Sequence, residues 1–256
     1  MQICASNLHV AIDEKIILSN LNFSLNNGEL IGLIGRNGAG KSTLLKAMAG
    51  LIPIKSGTLT IAGKPLDALS QQHRAQQIAY LPQNGPAHWN LTIEALVELG
   101  RLPHRGAVDG TQSCNAKAVA RALQKTGLEE LRDRSVDTLS GGERMRALLA
   151  RALAVEAPIL LADEPIAALD PLHQLQTLEL LRNTAHSGGI TIAVLHDLTL
   201  ASRFCDRLIL LDKGTIVANG PATAVLSDTN IANAYEISVH RSTHEGTTFI
   251  MPWKPL

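Results

Sequence analysis

The stretch that decides the fold is Leu30-Ile31-Gly32-Leu33-Ile34, followed by Gly35-Arg36-Asn37-Gly38-Ala39-Gly40-Lys41-Ser42. The first part is a continuous apolar run, which predicts a buried strand. The second part fits the pattern G-x-x-x-x-G-K-[ST], and a helical pattern continues from it to residue 49. Glycines in such a loop let successive backbone N–H groups point inward around an anion. Between a strand and a helix, the loop predicts a site for nucleotide phosphates.

Within this loop, Lys41 is placed to reach the β- and γ-phosphates, and the Ser42 hydroxyl is placed to ligate Mg²⁺. The start of the following helix adds partial positive charge. The residues expected to bind the nucleotide are Gly35, Asn37, Gly38, Ala39, Gly40, Lys41 and Ser42, with Thr43 just behind them.

Two adjacent acids, Asp163 and Glu164, follow a second apolar strand at Ile159–Ala162. Parallel strands present their carboxyl ends to the same crevice, so these acids are expected beside the phosphate loop. Asp163 can hold Mg²⁺ through water, and Glu164 can orient and deprotonate the attacking water. Such a pair is also common as a helix N-cap. The neighbouring phosphate loop and Pro165, which constrains the turn, favour the catalytic interpretation.

Two further residues are catalytic candidates because of where they lie. His196 ends the apolar strand 190–195, where it could hydrogen-bond a γ-phosphate oxygen or the attacking water. Gln83 follows Tyr80-Leu81-Pro82, where the chain leaves the sheet, and its amide oxygen can touch Mg²⁺ or the water. A histidine at a strand end is often only structural, and a glutamine in that place is often only solvated.

A second phosphate-facing surface is indicated by Leu139-Ser140-Gly141-Gly142-Glu143, about a hundred residues after the loop. This run opens a predicted helix over 142–155, and the N-terminus of a helix is itself an anion site. Because the two surfaces are far apart in sequence, we expect a second copy of the chain to complete one site.

The composition favours an α/β fold built on a mostly parallel sheet. The chain has 256 residues, 45% of them hydrophobic but only 3% aromatic, which indicates an aliphatic interior. Lys and Arg together number 23, as do Asp and Glu, so no overall field favours nucleic acid. The three cysteines have no metal-ligand spacing, and we expect free thiols. No signal peptide and no spanning run of roughly 18 apolar residues is recognised.

Along the chain we expect one main domain over residues 1–220 and a short helical tail over 221–256. The domain begins with antiparallel strands before the phosphate loop. From about 84 to 137 the apolar residues recur at helical spacing, which predicts a helical insertion. The α/β pattern then returns, with a hairpin expected around Asp212-Lys213-Gly214.

The order and spacing of these motifs, together with Ala168-Leu169-Asp170, resemble those of ABC transporter ATPase subunits over roughly residues 2–225. The resemblance implies the P-loop ATPase fold of that family, ATP hydrolysis with Mg²⁺, and a head-to-tail homodimer holding two ATP molecules. Ser140, Gly141 and Gly142 of one chain would then meet the ATP on Lys41 of the other, and Asp170 would lie near the dimer seam. Transmembrane permease subunits would be further partners, and a periplasmic or surface substrate-binding protein an indirect one.

More narrowly, the chain is similar to importer ATPases for iron–siderophore, haem and cobalamin uptake. The segments that carry this similarity are Leu81–Gln83, Leu99–His104 and His196–Asp206. We therefore expect the protein at the cytoplasmic face of the inner membrane, held there by its permease. A zinc/manganese importer, an exporter subunit and, less favoured, a non-transport ABC ATPase remain alternatives.

Two positions differ from the usual pattern of this family. Where an aromatic residue commonly stacks on adenine, the spacing places Ile12, so the contact would be apolar. Glu143 stands where glutamine is common. A carboxylate near a γ-phosphate would be repelled unless it points away or pairs with an arginine such as Arg144 or Arg146.

Overall fold

The computed structural model describes residues 1–83, 90–104, 112–167, 169–244 and 247–256. Their strands are β1 (Gln2–Ile12), β2 (Lys15–Asn26), β3 (Leu30–Ile34), β4 (Ser56–Ile61), β5 (Lys64–Pro65), β6 (Ile78–Leu81), β7 (Ile159–Ala162), β8 (Ile190–Val194), β9 (Arg207–Asp212), β10 (Thr215–Gly220), β11 (Ile237–His244) and β12 (Thr247–Pro255). Their helices are α1 (Lys41–Met48), α2 (Gln71–Gln77), α3 (Ile93–Glu98), α4 (Gln112–Thr126), α5 (Gly141–Ala154), α6 (Pro171–His186), α7 (Leu198–Phe204), α8 (Ala222–Val225) and α9 (Asp228–Tyr235).

The chain divides into two compact units. Unit 1 comprises residues 1–69 and 182–256, and unit 2 comprises residues 70–181. The predicted helical insertion at about 84–137 therefore belongs to a larger body, which also contains α2, β6, α5, β7 and most of α6.

Unit 1 contains an antiparallel sheet at the start of the chain, in the order β2-β1-β4-β5. In β2, buried residues alternate with exposed ones from Leu21 to Asn26, the pattern of a strand with one face in the core. This N-terminal antiparallel sheet agrees with the predicted fold class.

The second sheet region of unit 1 places β3 between two parallel neighbours, β8 and β9. Every residue of β3 and β8 is buried, as expected for parallel strands covered on both faces. An antiparallel hairpin joins β9 to β10 around Lys213-Gly214, as predicted. In unit 1, β3, which leads into the phosphate loop, thus lies between two strands from much later in the chain.

Close packing around β3 explains two residues on and after it. A β-carbon at Gly35 would lie 2.1 Å from the carbonyl oxygen of Leu211, so a larger residue would collide with β9. A β-carbon at Gly32 would lie 2.8 Å from the sulfur of Cys205, which is buried beneath the strand. Burial raises the pKa of the Cys205 thiol well above its ordinary value.

The C-terminal segment contains α8 and α9 but then forms an antiparallel hairpin of β11 and β12. The prediction that residues 221–256 form a helical tail is therefore wrong from Ile237 onward. These strands could not be predicted because most side chains of both are partly or fully exposed, so no apolar alternation marks a buried face. Thr199 on α7 anchors the hairpin: its Oγ1 donates to the Ile250 carbonyl at 2.9 Å and accepts from the Ile250 amide at 3.0 Å.

Unit 2 contains a parallel pair of strands, β6 and β7, and a group of packed helices. Helices α3, α4 and α5 contribute buried apolar side chains, among them Leu96, Val119, Leu123 and Met145, which the helical spacing predicted as apolar face residues. The described part of the predicted insertion is thus helical. Its expected entry at 84–86, and most of its expected loop at 103–110, lie outside the described residues. Among the described residues, no helix has both the length and the apolar character that crossing a membrane requires.

Candidate active site

The phosphate loop leaves β3 and encloses the side chain of Lys41, the first residue of α1. The Lys41 Nζ donates to the carbonyl oxygens of Gly35 at 2.7 Å and Arg36 at 2.9 Å, and only 6% of the residue is exposed. A buried ammonium is costly unless it is hydrogen-bonded, so these carbonyls stabilise its charge inside the loop. Gly38 and Gly40 have φ angles of 82° and 98°, which residues with a β-carbon rarely adopt. The loop is therefore built around one cation.

The start of α1 has the backbone and charge that suit an anion. Its N-cap residue is Gly40, which has no side chain to cap the helix, and the first turn contains no acidic residue. The first N–H groups of a helix have no partners within it, and the helix dipole adds positive charge there. Ser42 and Thr43 lie in this turn and are half-buried, whereas Asn37 and Gly38 are exposed at the tip of the loop.

The loop is also linked to the C-terminal part of unit 1. The Arg36 guanidinium pairs with Glu236, directly after α9, at 2.7 Å. The neighbouring Tyr235 side chain is largely buried, and burial raises its pKa to about 12 while the backbone amide of Gly35 opposes the shift. A segment to which the sequence assigned no chemistry thus contacts the phosphate loop.

His196 leaves the same edge of the sheet as the phosphate loop. Strand β8 pairs in parallel with β3, with Val194 opposite Leu33, and the Leu195 amide donates to the Leu33 carbonyl at 3.2 Å. His196 is exposed, and the next residue, Asp197, caps α7 by accepting from the Leu200 amide at 2.8 Å. Unit 1 therefore brings the loop and the histidine to one edge, as the sequence predicted.

In unit 2, Gln83 and Glu164 are in direct contact. The Gln83 Nε2 donates to Glu164 Oε2 at 2.7 Å, so the amide oxygen of Gln83 faces away from this carboxylate. The strands that precede the two residues, β6 and β7, pair in parallel with Leu81 opposite Ala162. Glu164 has a positive φ of 53°, which residues with a β-carbon seldom adopt outside turns and functional sites.

Asp163 is buried at the carboxyl end of β7, with 2% of its surface exposed. Its backbone amide donates to the Leu81 carbonyl at 2.9 Å, and the Tyr80 hydroxyl donates to its Oδ2 at 3.3 Å. Burial and the Asp163 charge raise the pKa of Tyr80 above its ordinary value, which keeps the hydroxyl protonated as a donor. The acids do not cap the next helix, because α6 begins only at Pro171. The N-cap alternative is thereby disfavoured.

Ser140 caps α5 through a reciprocal capping box with Glu143. The Ser140 Oγ accepts from the Glu143 amide at 3.2 Å, and Glu143 Oε2 accepts from the Ser140 amide at 2.8 Å. The other carboxylate oxygen of Glu143 pairs with Arg134 at 3.3 Å. The sequence did not single out Arg134, because it lies nine residues upstream and the expected partners were Arg144 and Arg146. Gly141 is exposed and Gly142 half-buried in the first turn.

Asp170 precedes α6 and accepts hydrogen bonds at the start of that helix. Its Oδ1 accepts from the His173 amide at 3.0 Å, and its Oδ2 lies 2.7 Å from the His173 ring. The hydrogen bond from the His173 backbone lowers the pKa of Asp170. Asp170 therefore has a structural role as a cap in the single chain, and its expected place at a dimer seam remains a prediction.

Each unit thus assembles part of the expected machinery: unit 1 has the loop and His196, and unit 2 has Gln83, Asp163 and Glu164. That both parts act on one nucleotide remains a prediction. Ile12, expected near adenine, ends β1 with 43% of its surface exposed. Tyr80 was overlooked as an Asp163 partner. In the parallel register Tyr80 lies opposite Leu161, and Asp163 follows two residues later along the neighbouring chain.

The model of the ABC transporter family matches residues 18–167, which is more than half of the chain. The chain belongs to the ABC transporter family. This confirms the family and the fold class that the motifs predicted.

Curated relatives extend the similarity over nearly the whole chain. A cobalamin import ATP-binding protein of Halobacterium salinarum is 42% identical over 96% of this chain and 62% of its own length. A hemin import ATP-binding protein of Pseudomonas fluorescens is 39% identical over 94% of each chain. This ABC chain therefore spans less than two thirds of the cobalamin relative but nearly all of the hemin relative.

Solved structures share the same fold. One structure is an inward-facing conformation of an ABC transporter that is assigned provisionally to the metal-chelate type. Its TM-score to this chain is 0.84 at 26% identity, and the alignment covers 99% of this chain and 97% of that one. The cassette MJ0796, in a post-hydrolysis dimer with ADP and phosphate, has a TM-score of 0.76 at 29% identity, covering 86% of this chain and 98% of its own.

Proposed function

We propose that this chain is the ATP-hydrolysing subunit of an ABC importer that takes up a metal chelate of the cobalamin, haem or iron–siderophore class. The main support is the identity of 42% and 39% to import ATP-binding proteins over almost the whole chain. The phosphate loop, with its single enclosed cation, agrees with this proposal.

ATP binding would use the loop of unit 1. Lys41 is held by two carbonyl oxygens that are neutral, whereas the β- and γ-phosphates carry full negative charges. An anionic phosphate oxygen attracts the ammonium by a charge–charge interaction that a neutral carbonyl cannot offer, so the phosphates would draw the ammonium away from the carbonyls. The backbone amides of Asn37 to Lys41 and the start of α1 would supply the remaining donors.

Hydrolysis would use Glu164 as the base for the attacking water. Gln83 holds this carboxylate in place through its amide nitrogen, and its amide oxygen could accept a hydrogen bond from the same water. His196 would donate to the γ-phosphate and stabilise the charge that develops on it. The positive φ of Glu164 fits a residue whose position is set by the site rather than by its local backbone preference.

Ser42, Gln83 and Asp163 offer a hydroxyl, an amide oxygen and a carboxylate, which are the hard oxygen donors that Mg²⁺ prefers. Asp163 is also buried, and its Oδ2 is oriented by Tyr80, so these residues suit the ion. Bound Mg²⁺ would neutralise charge on the β- and γ-phosphates.

A second copy of the chain would complete each ATP site in this proposal. Ser140 is exposed, and its hydroxyl, whose oxygen accepts from the Glu143 amide, could donate its proton to a γ-phosphate. Gly141 and Gly142 would contribute backbone amides at the start of α5. The dimeric arrangement of MJ0796 supports such an assembly.

Permease subunits would hold the dimer at the cytoplasmic face of the membrane, and a substrate-binding protein would deliver the chelate. The helical part of unit 2 is the region we propose for docking. Uptake of labelled cobalamin and hemin by proteoliposomes that contain the dimer and a co-purified permease would test the direction of transport and the substrate class.

The base assignment is tested with Glu164→Gln. We expect ATP binding to remain within about threefold of wild type while turnover falls by at least about a hundredfold, because only the water activation is lost. Isothermal titration with ATP and a phosphate-release assay measure the two effects. Glu130→Gln, which removes an exposed acid of the same unit, serves as the matched control. Hydrolysis by Glu164→Gln near the wild-type rate would show that another group is the base.

A further inference from the structure

The Ser140 hydroxyl at the start of α5 takes part in a reciprocal capping box with Glu143. Its oxygen accepts from the Glu143 amide, and its own backbone amide donates to Glu143 Oε2. A serine hydroxyl has one proton, and in this arrangement the capping bond does not use it. The capping box therefore sets the position of the oxygen. The Ser140 side chain also interacts with the Glu143 carboxylate, so a phosphate from outside would compete with that carboxylate for the hydroxyl proton.

Arg134 fixes the carboxylate that builds this box. Its Nη1 donates to Glu143 Oε1 at 3.3 Å, its Nη2 donates to the Thr138 carbonyl at 2.8 Å, and its Nε donates to Thr138 Oγ1 at 3.1 Å. One guanidinium thus joins the turn before Ser140 to the first turn of α5. Because the group is planar, three such bonds fix its orientation as well as its position.

The segment that contains Arg134 is itself held by backbone hydrogen bonds within unit 2. The Ile93 amide, at the start of α3, donates to the Arg134 carbonyl at 3.0 Å, and the Val136 amide donates to the Leu91 carbonyl at 2.9 Å. Thr138 Oγ1 donates in turn to the Ser135 carbonyl at 2.8 Å. The arginine therefore extends from a segment whose backbone is already held in place.

The same contacts decide what the charge of Glu143 does. Both carboxylate oxygens have partners, one in the Ser140 amide and the other in Arg134. The hydrogen bonds from Ser140 and the nearby positive charges of Arg134 and Arg146 lower the pKa of Glu143. An ionised carboxylate beside a nucleotide would repel its phosphates, and here an arginine offsets that charge.

We propose that Arg134 and Glu143 are positioning residues that orient the Ser140 hydroxyl toward the terminal phosphate of ATP held by a second copy of the chain. This inference rests on the proposed function, because it requires the ATP-dependent dimer. Glu143 then holds Ser140 in position through the capping box and does not itself contact the nucleotide.

The test compares Arg134→Gln, Glu143→Gln and Glu143→Ala in the Glu164→Gln background, where we expect ATP-dependent dimers to accumulate because turnover is lost. Glutamine at this position can still accept from the Ser140 amide, so we expect Glu143→Gln to weaken dimerisation by only about threefold. Glu143→Ala removes the box, and we expect about a tenfold loss, with Arg134→Gln between the two. Light scattering against ATP concentration measures dimerisation, and ADP affinity of the single chain should stay unchanged in all three.

Arg132→Gln is the matched control, since Arg132 lies two residues from Arg134 and pairs with Glu94 instead of Glu143. It should dimerise like the parent. An equal loss in Arg132→Gln, or a dimerisation loss in Arg134→Gln that only follows a loss of thermal stability, would overturn the proposal.

Mixed dimers in the otherwise wild-type chain separate positioning from a general folding effect. When Lys41→Ala and Arg134→Gln are in the same chain and the partner is wild type, the only loaded loop faces the altered Ser140, and hydrolysis should fall by about fivefold or more. When the two changes are split between the chains, the loaded loop faces an intact Ser140, and hydrolysis should match that of a dimer with Lys41→Ala alone. Equal rates in the two arrangements would overturn the proposal.

Ser140→Ala in the same two arrangements distinguishes the possible failures. If it shows no dependence on the arrangement, the proposed ATP-sandwiching dimer is itself wrong. If it does but Arg134→Gln does not, only the positioning role is wrong.

Discussion

At the scale of single residues, the contact between Gln83 and Glu164 bears most directly on the proposed hydrolysis. Two motifs about eighty residues apart in sequence end on parallel neighbouring strands, and their side chains meet at 2.7 Å. The amide nitrogen restrains the carboxylate through a hydrogen bond. The proposed base is thus held in place before any substrate arrives, which removes part of the ordering cost from the reaction.

Replacement of Gln83 by Glu gives a prediction with a definite pH dependence. Two carboxylates this close cannot both ionise easily, so the pair would retain a proton to higher pH. We expect ATP turnover at pH 7 to fall by roughly tenfold and to recover as the pH rises, since the base works only when ionised. A pH–rate profile measures the shift. Gln83→Ala should lower turnover without moving the profile, and identical profiles for the two variants would contradict the explanation.

Residues that follow a local motif were predictable, and residues that act through tertiary contacts were not. The loop, Asp163, Glu164 and His196 could be identified because each directly follows an apolar strand. Arg134 could not be, since only the packing of its turn against α3 brings its guanidinium to Glu143.

At the scale of elements, the C-terminal hairpin shows where sequence patterns fail. Strands β11 and β12 pair along their whole length, yet most of their residues are partly or fully exposed, and Trp253 has 68% of its surface exposed. A buried face leaves a period of two in the sequence, and this hairpin has almost none. It is held by the hydrogen bonds between Thr199 and Ile250, by the buried side chain of Ile250 and by the ion pair of Arg241 with Asp228.

Thr199→Val should loosen this hairpin while preserving the shape of the side chain. Both the amide and the carbonyl of Ile250 would lose their partner, at a local cost of about 1–3 kcal/mol. Hydrogen exchange of the amides in β11 and β12 should accelerate, while the amides of β3 and β8 keep their protection. Thr243→Val, which alters an exposed threonine of the same hairpin, is the control and should leave exchange in β12 unchanged. No change in Thr199→Val would mean that other contacts hold the hairpin.

At the scale of the whole molecule, the division into two units was only partly foreseen. The sequence predicted a helical insertion, and the described part of that segment is helical. However, unit 2 contains β6 and β7 as well as the helices. Apolar strands look alike in sequence wherever they lie, so periodicity alone could not assign them to a unit.

The three cysteine thiols differ in burial, so their labelling rates report on local opening of the fold around each of them. Cys114 on α4 is exposed, Cys4 is partly buried, and Cys205 is buried beneath β3 with a raised pKa. Because the thiolate is the reactive form, we expect iodoacetamide to label Cys114 first and Cys205 at least about a hundredfold more slowly. Mass spectrometry of the labelled peptides measures the rates, and in urea all three should react alike. Native labelling of Cys205 as fast as that of Cys114 would refute the buried position.

The place of β3 between β8 and β9 has a consequence for the synthesis of the chain. The strand that leads into the phosphate loop is made early, but its two neighbours begin only at Ile190 and Arg207. At typical rates of translation the ribosome takes roughly 10 to 35 s to reach them from β3. During that time a fully apolar strand has no partner in its sheet, and ATP has no finished loop to bind. The nascent chain is therefore exposed to misfolding for most of its synthesis, and nucleotide cannot assist its folding until the last strands of the sheet have emerged.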